Sequence, residues 1–252
     1  MSLGVHGVNK SFGGLRVVDD VSFQVQAAEL TGLIGPNGAG KSTLFAVISG
    51  FQPADAGCVR FDGHEIQRLS AAARARLGIA RTFQVPRPFA HLTVRENLLT
   101  GARDQPGEHV FNLLCRPGVV RQRERQIVAR ADAMLEFLGL TRVAGERAGA
   151  LSGGQQKLLE LGRALMTEPR FILLDEPYAG VNPVLIEEIE RRIRTLSEQG
   201  TGFLIVEHNL PALARLAARL LVMDRGRLIA SGTPAQVLAD RAVQEAYIGG
   251  GP

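Results

Sequence analysis

The 252-residue sequence predicts an α/β fold with a mostly parallel sheet, an N-terminal antiparallel β portion and an inserted helical lobe. Three observations predict this class. Short apolar runs of strand length alternate with longer stretches of helical spacing, as in parallel sheets joined by helical crossovers. A glycine-rich loop joins one apolar run directly to a helical pattern. Strand-like runs disappear after Pro86 and return only after about Thr167, which predicts a helical insertion.

The N-terminal third reads as strands followed by short helices. Residues 1–30 alternate loosely around the turn at Phe12-Gly13-Gly14, with strand positions at Val17, Val21, Phe23 and Val25. Residues Leu30 to Ile34 form an apolar run long enough for a buried strand. The patterns that follow predict a helix with Leu44, Phe45, Val47 and Ile48 on one face, a strand and turn over 57–63, a short helix over 70–77 and a strand over 79–83.

Helical patterns dominate the insertion. Thr93 and Glu96 have the spacing of a capping box, which predicts a helix start. A second helix is predicted over 125–138, with an apolar face at Ile127, Ala131, Leu135 and Leu138. The intervening residues 101–123 mix Pro, Gly and Arg and are expected to cover a surface.

The α/β pattern then resumes to the end of the chain. Strands are predicted over 171–174, 202–206 and 220–223. A helix over 183–199 has Leu185, Ile189, Ile193 and Leu196 at inward spacing, and Gly200 is a natural stop. Its outer face is predicted to hold three i,i+4 ion pairs: Glu187–Arg191, Glu188–Arg192 and Glu190–Arg194. We therefore expect one domain over 1–252, with a core of 1–85 and 168–252 and a helical subdomain of 86–167.

Composition excludes some classes of protein and leaves others open. The net charge of +4 is compatible with an acidic partner surface, nucleic acid or a membrane face, but also with an ordinary arginine-rich surface. Cys58 and Cys115 lack metal-ligand spacing, which favours a reducing compartment. No apolar run approaches the ~20 residues of a membrane span, and the N-terminus lacks a signal-peptide pattern.

The glycine-rich loop, residues 35–43, has the P-loop spacing of Gly, four residues, then Gly-Lys-Ser. A strand before it and a helix after it provide the context that this motif needs. Its backbone N–H groups and the positive end of the helix dipole favour a phosphate chain. Lys41 is expected to reach the β- and γ-phosphates, and Ser42 to ligate Mg²⁺. The predicted ATP contacts in this loop are Asn37, Gly38, Ala39, Gly40, Lys41, Ser42 and Thr43.

A second group of candidate residues follows a buried strand. The run over 171–175 places Asp175 and Glu176 at the carboxyl edge of the sheet, where α/β proteins bind ligands. Downstream of a P-loop, we expect Asp175 to hold the Mg²⁺ and Glu176 to orient or deprotonate the attacking water.

The stretch Leu151-Ser152-Gly153-Gly154-Gln155 has two interpretations. Ser152 and Gln155 have the spacing of a capping box, which would make the stretch an ordinary helix start. Two glycines in a first turn cost about 1 kcal/mol each relative to alanine, so an ordinary start would not favour them. They are useful where a phosphate must approach the helix N-terminus closely.

This stretch resembles the signature motif of ABC-type ATPases, and the similarity extends over nearly the whole chain. It implies a P-loop NTPase core of the RecA-like type with ATP and Mg²⁺ as ligands. By the same resemblance, Gln84 corresponds to the Q-loop and a metal contact, Glu176 to the catalytic glutamate, and His208 to the switch histidine. Phe12 corresponds to the aromatic that stacks on adenine, and Asn182 to the D-loop. Ser152, Gly153, Gly154 and Gln155 are implied ATP contacts, and Lys41 joins Gln84, Glu176 and His208 as catalytic.

Two positions depart from the usual family pattern. The adenine-stacking residue is more often Tyr than Phe, so Phe12 retains stacking but lacks a hydroxyl. The D-loop usually carries Asp where this chain has Asn182, whose amide can hydrogen-bond but carries no charge.

Several segments resemble ATPases of branched-chain amino acid importers: Arg81-Thr82-Phe83-Gln84, Ala179-Gly180-Val181-Asn182-Pro183, and a tail that includes residues 232–234 and 246–249. Related importers serve urea or short amides. The resemblance implies a homo- or heterodimer of cassettes at the cytoplasmic face of a membrane, beneath permease subunits fed by an extracytoplasmic solute-binding protein. Residues 85–89 are an apolar and basic run that we expect to dock the permease.

Two alternatives stay open. One is a soluble ABC ATPase that acts on nucleic acid or ribosomes; the long coiled coil or second cassette typical of that class is missing from the sequence, so nucleic acid is not the expected partner. The other is an ATPase of lipid export or cluster assembly.

Overall fold

The computed structural model describes residues 2–83, 86–108, 111 and 115–248. These residues form two compact units. The first contains the described parts of 1–84, 170–179 and 186–252, and the second contains those of 85–169 and 180–185.

The first unit contains two sheets, which confirm the predicted α/β class and its antiparallel N-terminal portion. One sheet is antiparallel, in the order β2-β1-β4-β5. The other has the order β10-β9-β3-β8-β7-β6, and all its pairings are parallel except that of β10 with β9. The strands are β1 (Ser2–Phe12), β2 (Leu15–Gln26), β3 (Leu30–Ile34), β4 (Ala56–Phe61), β5 (His64–Glu65), β6 (Ile79–Arg81), β7 (Phe171–Asp175), β8 (Gly202–Val206), β9 (Arg219–Asp224) and β10 (Arg227–Gly232).

Described helices occur in both units. They are α1 (Lys41–Ser49), α2 (Ala71–Arg76), α3 (Val94–Leu99), α4 (Pro117–Phe137), α5 (Gly153–Met166), α6 (Pro183–Glu198), α7 (Leu210–Leu216), α8 (Pro234–Ala239) and α9 (Arg241–Ile248). Short 3₁₀ turns occur at Pro106–Glu108, Thr141–Val143 and Ala148–Ala150. None of the described helices is long and apolar enough to cross a membrane.

The core of the first unit holds α1 between the two sheets. One continuous cluster of buried side chains includes Val5 and Val21 from the antiparallel sheet, Phe45 from α1, and Leu173 and Leu204 from the parallel sheet. This packing fixes the helix that follows the glycine-rich loop, because burying such side chains contributes about 1.5–3 kcal/mol each.

The carboxyl end of α1 is held by a buried arginine. Nη1 of Arg74 donates hydrogen bonds to the carbonyls of Val47 and Ile48 at 2.6 and 2.7 Å, and Nη2 donates to that of Gln67 at 3.0 Å. Burial lowers the pKa of Arg74 to about 10. The carbonyl of Val47 also accepts from the N–H of Gly50 at 3.2 Å, whereas the bond from Arg74 satisfies the carbonyl of Ile48 at a helix end that leaves such groups without helical partners.

The second unit is mainly helical, with contacts among α3, α4 and α5. The predicted capping box at the start of α3 is present: Thr93 Oγ1 accepts from the N–H of Glu96 at 3.1 Å, and the N–H of Thr93 donates to Glu96 Oε2 at 2.7 Å.

Two details of the prediction are wrong. The helix expected to begin at Arg125 begins at Pro117, because a proline suits the first turn of a helix, where its missing N–H is not needed. Glu190 of α6 was expected to pair with Arg194 on an outer face. It is buried instead and binds Arg215 of α7 at 3.0 Å, while the predicted Glu188–Arg192 pair forms at 2.6 Å.

Candidate functional site

Two glycines of the loop between β3 and α1 are required by its geometry. Gly35 has φ 148°, and a Cβ there would lie 2.0 Å from the carbonyl oxygen of Met223. Gly40 has φ 97°, and a Cβ there would lie 2.3 Å from the carbonyl oxygen of Val17. These contacts let the loop wrap closely over the end of the sheet, which larger residues would prevent.

The N-terminus of α1 has no side-chain cap. Its N-cap position is Gly40, and no side chain in the described part of the chain accepts a hydrogen bond from the first turn as a cap. Open N–H groups at the positive end of a helix dipole favour an anion.

Lys41 is buried at the centre of this loop. Its Nζ donates to the carbonyls of Gly35 and Pro36 at 2.8 and 2.9 Å. Burial lowers the pKa of Lys41, and the nearby carboxylates of Glu176 and Asp175 oppose that shift. The two carboxylates therefore favour the charged form of the ammonium.

A single cleft brings the loop and two distant residues together. It is lined by Val17, by residues 37–43, by Glu176 and by His208. The parallel sheet explains this arrangement. Glu176 follows β7 and His208 lies just beyond β8, and these adjacent strands end at the same edge.

Glu176 and His208 form a hydrogen-bonded pair in the cleft. The distance between His208 Nε2 and Glu176 Oε1 is 2.8 Å. The backbone of Glu176 has φ 49°, which is uncommon for a residue with a side chain, and such conformations often occur at functional sites.

Asp175 is held by the neighbouring strand, a feature that we did not predict. Arg81 Nη2 donates to Asp175 Oδ2 at 3.0 Å, and Thr82 Oγ1 accepts from the N–H of Asp175 at 3.3 Å. The guanidinium of Arg81 also lies over the rings of Phe45, Phe51 and Phe83, at 5.9, 5.8 and 5.4 Å from their centroids. The sequence signal for this contact was Arg81 itself, a charged residue within the mainly apolar strand predicted over 79–83.

Glu207 is a buried carboxylate that was also missed. Its partners among the described residues are backbone N–H groups: Tyr178 at 2.6 Å, His208 at 2.9 Å and Asn209 at 3.2 Å. Burial raises the pKa of Glu207, and the three N–H donors act in the opposite direction. The sequence signal for this residue was its position between an apolar strand and His208.

The signature stretch begins α5 in the second unit and carries its own cap. Ser152 Oγ accepts from the N–H of Gln155 at 3.3 Å, and the N–H of Ser152 donates to Gln155 Oε1 at 3.0 Å. A Cβ at Gly154 would lie 2.2 Å from Cδ2 of Leu185, whereas a Cβ at Gly153 would meet nothing within 4 Å. Packing therefore accounts for Gly154 but not for Gly153.

Three other predicted residues lie outside the cleft lining or outside the described residues. Phe12 is 48% exposed at the end of β1, with Lys10 Nζ 5.4 Å from its ring centroid. Asn182 Oδ1 accepts from the N–H of Leu185 at 2.9 Å and so caps the start of α6. Gln84 is not among the described residues.

Comparisons with known proteins point to one class of protein. Residues 18–179 match a family model described as ABC transporter, and residues 227–252 match one described as branched-chain amino acid ATP-binding cassette transporter. The chain is 43% identical to a probable branched-chain amino acid transport ATP-binding protein of Methanocaldococcus jannaschii, over 98% of this chain and 97% of the relative. It is 37% identical to the lipopolysaccharide export system ATP-binding protein of Escherichia coli, with the same coverage of both. A solved ATP-binding cassette of an ABC transporter in its ADP conformation is 40% identical, with a TM-score of 0.84 over 99% of each chain.

Proposed function

The chain belongs to the ABC transporter family, and from this premise we propose that it is the ATP-hydrolysing subunit of an importer for branched-chain amino acids or a related small polar solute. One observation carries the solute class. Residues 227–252 are similar to a family segment described for branched-chain amino acid cassettes, in addition to the general cassette match.

The cleft supports specific roles in ATP hydrolysis. We assign Lys41 and residues 37–43 to the phosphate chain, since the uncapped helix N-terminus and the buried ammonium meet there. Glu176 is the group that orients or deprotonates water, and His208, 2.8 Å away, holds its carboxylate in place.

Ser42 and Asp175 fit a Mg²⁺ site shared with ATP. Mg²⁺ prefers hard oxygen ligands and is usually bound by one or two carboxylates together with phosphates and water. No cluster of three or more His, Cys, Asp or Glu that could hold a metal occurs within the described ranges. Arg81 occupies one oxygen of Asp175, and the other would hold the metal, with Gln84 as a further ligand. When bound, Mg²⁺ neutralises developing phosphate charge.

The assignment of Glu176 has a direct test. Glu176→Gln retains the shape but removes the base, so turnover should fall by about 10²- to 10⁴-fold while ATP binding persists. ATPase activity and equilibrium nucleotide binding are measured on the same preparation. Near-normal hydrolysis by this variant would remove Glu176 from the mechanism.

The solute class needs the complete transporter. The chain is co-expressed with the permease and solute-binding proteins encoded beside its gene, and uptake of labelled leucine, urea and short amides is compared. Leucine uptake that depends on Glu176 would support the proposal. Co-purification with nucleic acid, or release of lipopolysaccharide in place of solute uptake, would favour one of the two alternatives.

A segment of the second unit is proposed to dock the permease. Phe89 is 50% exposed, and Arg163 of α5 lies over its ring at 4.7 Å and donates to the carbonyl of Arg87 at 3.0 Å. An exposed aromatic held by a charged partner suits an interface anchor. Val85, also part of the predicted segment, lies outside the described residues.

Phe89→Asp should abolish coupled transport while the isolated subunit keeps its ATPase activity, because the substituted side chain lies outside the nucleotide cleft. Unchanged permease assembly and uptake would place the docking surface elsewhere.

We further propose that the signature acts across a dimer of cassettes. The chain has one P-loop and one Asp175–Glu176 pair, but two glycine-rich helix starts suited to phosphate. In a two-fold dimer in which each P-loop faces the partner's signature, both glycine-rich helix starts would bind phosphate. Two-fold symmetry is the commonest arrangement of homodimers.

A further inference from the structure

Two loops must stay in register for Glu176 and His208 to keep their contact. Glu176 lies just beyond β7, and His208 lies beyond β8, separated from that strand by Glu207. The N–H of Glu176 donates to the carbonyl of Val206 at 2.9 Å, which is the last backbone bond between these strand ends before the loops diverge. Beyond it, something else must hold the two loops together.

Glu207 bridges the two loops. Its Oε1 accepts from the N–H of Tyr178, two residues after Glu176, at 2.6 Å. Its Oε2 accepts from the N–H groups of His208 and Asn209, at 2.9 and 3.2 Å. One carboxylate therefore binds the backbones of both loops that present the reacting pair.

This carboxylate is an unusual choice for a role in stability alone. Glu207 is only 4% exposed, and a buried charge satisfied by backbone groups costs desolvation free energy that an apolar residue would avoid. The turn that it binds contains Glu176 in the left-handed region, a conformation that the surroundings must enforce. The bond to Tyr178 lies two residues after that strained residue.

We propose that Glu207 is a positioning residue for ATP hydrolysis: it fixes the Glu176 turn and the His208 loop relative to each other. The inference rests on the proposed roles of Glu176 and His208. It predicts an effect on the chemical step rather than on ATP binding, since Glu207 is not among the residues that line the cleft.

Glu207→Gln tests the bridge with little change in size. An amide has one acceptor oxygen, so its NH₂ group must face either the N–H of Tyr178 or those of His208 and Asn209. We expect kcat to fall by about 10- to 100-fold, as for small misplacements of catalytic groups, with the Kd for ATP unchanged within about twofold. Both are measured on the full chain.

Glu190→Gln is the matched control. Glu190 is also a buried carboxylate, 6% exposed, but it pairs with Arg215 and lies outside the cleft lining. Loss of the ion pair with Arg215 should lower the melting temperature of Glu190→Gln, while its kcat stays within about twofold of the parent. Equal losses of kcat in the two variants would show a general effect on stability and overturn the proposal.

The double variant with His208→Ala provides an independent readout. If Glu207 acts through the pair, adding Glu207→Gln to His208→Ala should lower kcat by less than it does alone, since residues that act together are not additive. Fully additive losses would contradict the proposal. If Glu207→Gln does not fold, Glu207→Asp keeps both oxygens but is one methylene shorter, and an unchanged kcat for that variant would also overturn it.

Glu176→Gln, assayed in parallel, separates the positioning role from the proposed function. Near-normal hydrolysis by Glu176→Gln would refute the proposed role of Glu176, on which the positioning role rests. An inactive Glu176→Gln together with a fully active, folded Glu207→Gln would refute only the positioning role.

Discussion

The glycine-rich starts of α1 and α5 differ in whether a side chain binds the backbone N–H groups of the first helical turn. The first turn of α1 follows Gly40 and has no side-chain cap, while Lys41 donates to carbonyls of its own loop. The first turn of α5 is closed by the reciprocal bonds of Ser152 and Gln155. The P-loop end therefore depends on a ligand to satisfy its donors, whereas the signature end is already partly satisfied within its own unit.

The glycines at the two helix starts also differ in whether the fold leaves space for a side chain. Gly40 cannot carry a side chain, because its φ is 97° and a Cβ there would lie 2.3 Å from the carbonyl oxygen of Val17. Gly153 has open space around it. The fold itself requires glycine at position 40. At position 153, only the close approach of another molecule would require a glycine. Substitutions at the two helix starts can therefore separate a glycine required by the fold from one required by a ligand.

The largest effect, on ATP hydrolysis, is expected when the N-terminus of α1 is disabled on one chain of a dimer and that of α5 on the other. Lys41→Ala removes a charged phosphate ligand and should weaken ATP binding by roughly 10- to 100-fold, from about 1.5–3 kcal/mol for a charged hydrogen bond. Gly153→Asp places a carboxylate at the signature without steric conflict, whereas Gly154→Asp would also collide with Leu185. If the signature acts in trans, a mixed dimer of Lys41→Ala and Gly153→Asp keeps one intact composite site.

Hydrolysis by that mixture should exceed the sum of the two parents. Differently tagged chains, purified by both tags, show that mixed dimers form. An absence of gain in such dimers would mean that each signature serves the P-loop of its own chain.

A smaller effect is expected from Ser152→Ala. Loss of an N-cap costs about 1 kcal/mol, so chemical denaturation should show that decrease in the free energy of unfolding. ATP affinity of the isolated chain should stay unchanged, because Ser152 lies outside the P-loop cleft. A parallel drop in ATP affinity would mean that the two helix ends are not independent.

The smallest effect, and one of opposite sign, is expected from Gly153→Ala. With no neighbour within 4 Å of the new methyl group, alanine should stabilise α5, by about 0.5–1 kcal/mol. If Gly153 is there for close approach of phosphate, ATPase activity should fall even as stability rises. Higher stability with full activity would leave that glycine without a role at the nucleotide.

Local features of the chain were the most predictable from sequence. The strand, loop and helix around Lys41 are consecutive, and the spacing of glycines there reflects backbone geometry within a few residues. The capping boxes at Thr93 and Ser152 are equally local, and both are present. The helix start at Pro117 was missed because an arginine-rich, polar stretch has no apolar period to mark it.

Features that depend on partners far along the chain were not predictable. Glu190 left its expected ion pair because α7 brings Arg215 within 3.0 Å of its carboxylate. Arg81 and Asp175 are separated by 94 positions yet meet because β6 and β7 are adjacent. Such pairings follow from strand order, which no local pattern encodes.

By itself, then, the sequence determined the nucleotide loop, the two carboxylates at the carboxyl end of β7 and the helix N-termini, because each depends on residues that are neighbours in the chain. The tertiary structure alone decided which groups surround them. It placed His208 against Glu176, Arg81 against Asp175 and Glu207 between two loops. The physical reason is that parallel strands deliver their carboxyl ends to one edge, so residues distant in sequence become the immediate environment of the reacting groups.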